Sequence, residues 1–70
     1  MLSIKKIEKF CFDILGDFVN PKTDIEVEQS RNGTFRVVVL RTGSVPRHII
    51  IDEWNRRAKD TEFEKVSLYV

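Results

Sequence analysis

Between Leu2 and Val19 the apolar residues Ile4, Ile7, Phe10, Cys11, Ile14, Leu15 and Phe18 keep to one side of a helix with 3.6 residues per turn. Directly after Pro21 the apolar period drops to two, with Ile25 and Val27 set between Glu26 and Glu28. This switch constrains the chain more than any other feature. An amphipathic helix and a half-buried strand each have one apolar face to bury, and the short way to bury both is to lay one on the other. Ser3 stands at the position of an N-cap, and Asn20, held out of the α region by Pro21, ends the predicted helix.

The alternating run from Asp24 to Ser30 is followed by a β-rich run from Thr34 to Arg41, with Asn32-Gly33 between them as a hairpin signal. A two-residue turn at Asn32-Gly33 sets Ile25 opposite Leu40, Val27 opposite Val38 and Glu28 opposite Val37, and a four-residue loop keeps the same faces. After Thr42-Gly43, Ser44 is placed to cap a second helix with Pro46 in its first turn and Val45, Ile49, Ile50, Trp54 and Ala58 along one side. The β-branched triplet Ile49-Ile50-Ile51 suits a strand equally well, so the sequence leaves 45–51 open between helix and strand. From Glu64 to Val70, the residues Val66, Leu68 and Val70 alternate with Lys65, Ser67 and Tyr69, which predicts a third strand.

The expected architecture is a single α+β domain over 1–70, in the order α-β-β-α-β. It is a two-layer sandwich with a three-stranded, largely antiparallel sheet and two helices on one face. The expected covered face carries Ile25, Val27, Val38, Leu40, Val66, Leu68 and Val70, leaving Phe35, Val37, Val39, Arg41, Lys65, Ser67 and Tyr69 on the other with Glu26 and Glu28. The element order resembles a shortened type II KH domain. The glycine-rich, backbone-clamping loop of that family has no counterpart, so the resemblance implies topology alone.

Composition limits the chemistry. A single core in 70 residues supplies about 3–5 kcal/mol, and the usual reinforcements are missing, because one cysteine and one histidine make neither a disulfide nor a zinc site. Neither a metal nor a cofactor is expected. Catalysis needs a nucleophile with a base, paired carboxylates or a metal. Cys11 lies on the apolar stripe and reads as a buried thiol, His48 stands beside Arg47 as a surface residue, and Gly16, Gly33 and Gly43 are scattered singly. The chain is therefore expected not to be an enzyme. It has no apolar run of the ~18 residues that span a bilayer and no segment of signal-peptide form, so no membrane partner and a reduced, cytoplasmic setting are expected.

Two features point to binding. The run 34–41 is apolar at both parities, the pattern of a strand covered on both sides, so the face with Phe35, Val37, Val39, Arg41 and Tyr69 is the expected protein interface, for a partner or for a second copy in a homodimer. All six arginines, Arg31, Arg36, Arg41, Arg47, Arg56 and Arg57, fall between 31 and 57. With Lys59 they set seven basic residues against Asp52 and Glu53. Of these, Arg31, Arg36, Arg47, Arg56 and Arg57 are the candidate contacts to an acidic partner or to nucleic acid. A net charge of +1 and a pI near 7.9 fall short of a domain that depends on phosphate contacts. The expected function is thus a small regulator or inhibitor docking onto a protein, the form taken by many viral and mobile-element inhibitors, with a nucleic-acid-binding module as the alternative.

Overall fold

Ser3 opens the first helix with an extended backbone, and its Oγ accepts the Lys6 N–H at 3.2 Å. The computed structural model describes residues 1–70 and runs α1 (Ile4–Leu15), β1 (Ile25–Gln29), β2 (Phe35–Val39), α2 (Arg47–Ala58), a 3₁₀ turn (Glu62–Lys65) and β3 (Ser67–Tyr69). The expected α-β-β-α-β order is the one observed. Ile7, Cys11, Ile14 and Leu15 are buried, as the apolar stripe requires. The helix ends short of Pro21, because the chain turns at Gly16 and the N–H groups of Phe18 and Val19 both bond the Leu15 carbonyl, bringing Val19 back into the core. A Cβ on Gly16 would collide with the Phe12 carbonyl oxygen, so this turn takes no larger residue without shifting.

The sheet has the order β1-β2-β3, with β1 antiparallel to β2 and β2 parallel to β3. Its register differs from the expected one by a single residue. Ile25 faces Val39, Val27 faces Val37 and Gln29 faces Phe35. The hairpin loop has three residues, Arg31-Asn32-Gly33: the Gly33 N–H bonds the Ser30 carbonyl at 3.0 Å, and the Ser30 N–H bonds the Thr34 carbonyl at 2.8 Å. Gly33, at φ +87°, takes the left-handed position that completes a three-residue hairpin. Asn32 Oδ1 accepts the Thr34 N–H at 3.1 Å and the Ser30 hydroxyl, which holds the loop from inside.

An odd loop reverses every side chain of the second strand relative to an even one. Val37 and Val39 are therefore the covered residues, at 0% and 6% exposure, with Phe35 packed partly buried beside them, while Leu40 is 52% exposed. The expected placement of Phe35, Val37 and Val39 on the free face is corrected accordingly. The assignments for β1 and β3 hold: Ile25 and Val66 are buried, Val27, Leu68 and Val70 pack partly buried against the core, and Glu26, Ser67 and Tyr69 point away.

Residues 47–58 resolve as helix. Ile50, Trp54 and Ala58, one turn apart, are its buried residues, and Ile49 and Ile51 are left half-exposed on its flanks. Pro46, not Ser44, occupies the N-cap position, and no side chain bonds the first turn. Phe10 makes an edge-to-face contact with Trp54 at 5.2 Å and stacks on Phe63 of the 3₁₀ turn at 4.0 Å, tying α1, α2 and the turn into one aromatic cluster. That turn occupies 62–65, where the sequence predicts the start of a strand, and it shortens β3 to three residues. Thr61 fixes it by accepting the Phe63 N–H at 3.1 Å while donating to the Ala58 carbonyl at 2.7 Å. No buried side-chain nitrogen or oxygen lacks a hydrogen-bond partner.

Candidate interaction surfaces

With both helices on the Val37 side, the opposite face of the sheet is uncovered. The register lays two rows across it: Glu28, Arg36 and Ser67 in one, Glu26, Val38 and Tyr69 in the other. Arg36 is the hub. Its Nε donates to Glu28 Oε1 at 2.8 Å, and its guanidinium lies 6.0 Å from the centre of the Tyr69 ring. Glu28 thus holds the arginine plane beside an aromatic ring that is 53% exposed, and Leu40 extends the apolar surface past the end of β2. Tyrosine and arginine in contact on an open surface are the residue types that most often anchor protein interfaces.

Of the five residues expected on this face, the structure leaves Tyr69 there and moves Phe35, Val37 and Val39 to the covered side. Arg41, just past β2, pairs with Asp24 at 3.4 Å. Val38 and Leu40 take their place. The signal that could have found them is the loop length, since Arg31-Asn32-Gly33 with glycine in third position fits a three-residue hairpin as well as a shorter turn.

The arginines do not form one patch. Arg36 lies on the sheet's open face, whereas Arg56 and Arg57 lie on α2 in the other layer. There both converge on Glu53, with Arg56 Nη2 at 2.6 and 2.7 Å from its two oxygens and Arg57 Nη1 at 3.5 Å. The Arg56 hydrogen bond holds the Glu53 carboxyl below the usual glutamate range. Four of the six arginines are therefore ion-paired within the chain. Arg31 at the hairpin tip and Arg47 at the start of α2 have no acidic side chain within 4 Å.

Cys11 is buried, and that burial, reinforced by Glu8, pushes its thiol up to about 12. A thiol that keeps its proton at neutral pH is a poor nucleophile. No three histidine, cysteine or acidic side chains gather into a metal-holding group, and no helix is long and apolar enough to cross a membrane. Compared with family models, curated proteins and solved structures, the chain matches none.

Each edge of the sheet carries a groove. Between α2 and β3, Ile51, Trp54, Ala58 and Leu68 line a space of about 410 Å³. Between α1 and β1, Phe12, Pro21, Ile25 and Val27 line one of about 450 Å³, rimmed by Glu8, Lys9 and Lys22. Phe12 is 60% exposed and lies off the stripe of Ile7, Cys11, Ile14 and Leu15. An aromatic beside the apolar stripe of a helix is the sequence signal for this second groove.

Proposed function

We propose that this chain is a protein-binding module that regulates or inhibits a protein partner by docking the open face of its sheet. The observation that carries the reading is the Glu28–Arg36–Tyr69 arrangement beside Val38: an oriented guanidinium and a half-exposed ring on an uncovered sheet. A specific interface takes roughly 800 Å² from each partner, about a sixth of the 5008 Å² surface of this chain. Docking therefore reaches beyond the two rows to Leu40 and the hairpin loop. Nucleic-acid binding is the less favoured use of the arginines. With Arg36, Arg41, Arg56 and Arg57 neutralised internally and divided between the two layers, only Arg31 and Arg47 among the arginines are left unpaired to follow a phosphate backbone.

Binding to a purified partner tests the reading, using Tyr69→Ala and Arg36→Ala beside the unaltered chain. Affinity should fall about tenfold or more for Tyr69→Ala at unchanged melting temperature, and should change little between 50 and 200 mM salt. A loss of roughly a thousandfold over that salt range would instead mark phosphate-dominated binding. Light scattering at several concentrations separates a homodimer, in which the same face meets its own copy.

A further inference from the structure

From the free edge of β1 we infer a docking site for one extended segment of a partner protein, added to the sheet as a fourth strand and alternating apolar with basic residues. The inference rests on the protein-binding reading above but assigns a second surface. The first support is the backbone. In an antiparallel ladder the bonded pairs alternate, and the Leu40 N–H bonds the Asp24 carbonyl at 2.7 Å while the Ser30 N–H bonds the Thr34 carbonyl at 2.8 Å. The even-numbered residues of β1 thus spend their backbone groups on β2. The N–H and C=O of Ile25, Val27 and Gln29 point out of the sheet, and no turn, loop or cap uses them. Neither a proline nor a bulge blunts this edge.

The side chains choose the occupant. Along an added strand, residues on the helix side enter the groove of Phe12, Pro21, Ile25 and Val27, which is apolar and about 450 Å³. Residues on the other side meet Glu26, which has no ion-pair partner, and Glu28, which meets Arg36 through Oε1 only. An alternating apolar and basic strand satisfies both sides. A second copy of this chain does not: in each antiparallel register that pairs three or more residues of β1 with their copies, with Glu26, Val27 or Glu28 on the two-fold axis, glutamate stands opposite glutamate, and like charges opposite one another destabilise a pair.

The test titrates the isotope-labelled chain with a blocked peptide of about seven residues alternating valine and lysine, and with its valine–glutamate counterpart. The lysine peptide should shift the amide signals of Ile25, Val27 and Gln29 and slow their hydrogen exchange, and the glutamate peptide should leave them unchanged. Glu26→Lys should reverse that preference. Phe12→Ala, at an exposed position, should weaken the lysine peptide about tenfold. Tyr69→Ala should leave peptide binding intact, which separates this site from the open face. Equal binding of the two peptides, an unmoved set of edge amides, or loss of the peptide in Tyr69→Ala would each overturn the assignment. So would shifts that follow the concentration of the protein alone.

Discussion

Val37 and Val38 are neighbours of the same type on one strand, yet Val37 is wholly buried beneath the helices while Val38 lies between Glu26 and Tyr69 on the free side. Nothing in either side chain decides this. The covered set of β2, Phe35, Val37 and Val39, and the open set, Arg36, Val38 and Leu40, are both rich in apolar residues, so hydrophobicity alone places the strand either way up. The number of residues in the hairpin loop decides, and Gly33 in the left-handed region sets that number at three. Where a strand is apolar on both faces, turn geometry outranks the hydrophobic pattern.

The contrast is most sharply tested by one substitution on each side. Val37→Asp should cost about 4 kcal/mol, as much as the ~3–5 kcal/mol that a core of this size supplies, and leave the chain unfolded. Val38→Asp should stay within about 1 kcal/mol in urea denaturation. Equal losses would break the assignment of faces. On the packed side, Cys11 should react with a thiol reagent at pH 8 about a hundredfold more slowly in the native protein than in denaturant, since reaction waits on opening of the structure. Because the folded state keeps its thiol proton up to about pH 12 and the unfolded chain releases it near 9.0, the Cys11 contribution to stability is constant below pH 9 and declines above it, as alkaline denaturation would register. At the hinge between the faces, Gly33→Ala places a side chain at φ +87° and should lower stability by about 1 kcal/mol while the cross-strand register, read by nuclear Overhauser contacts, persists. On the open side, Arg36→Gln removes an exposed ion pair and should change stability by less than about 0.5 kcal/mol.

Much of this division was written in the residues. The 3.6-residue stripe of α1, the Ser3 cap, the burial of Cys11 and Trp54, and the alternation of Val66, Leu68 and Val70 each follow from local pattern, and each is seen. What was illegible has physical causes. Asn32-Gly33 suits a two-residue turn and also the last two positions of a three-residue loop, and only the second accounts for the observed burial. The triplet Ile49-Ile50-Ile51 carries the propensity of a strand, and helix wins because Ile50, Trp54 and Ala58 fall one turn apart and together fill the core. The parallel pairing of β3 is set by the return path of α2, and Thr61, by capping, turns the beginning of the expected strand into a 3₁₀ turn. At the candidate interface, Tyr69 was legible because β3 alternates cleanly. Val38 and Leu40 were not, because their strand does not.

The strand order also bears on how the native state is reached. Hairpin partners such as Gln29 and Phe35 lie close along the chain, whereas Arg36 and Ser67 lie thirty-one positions apart with the whole of α2 between them. Closing the longer loop costs about 1.5 kcal/mol more entropy than closing the hairpin. The topology thus favours a nucleus of hairpin and helices with β3 joining after the rate-limiting barrier, so that changes confined to β3 shorten the lifetime of the native state with little effect on how fast it forms.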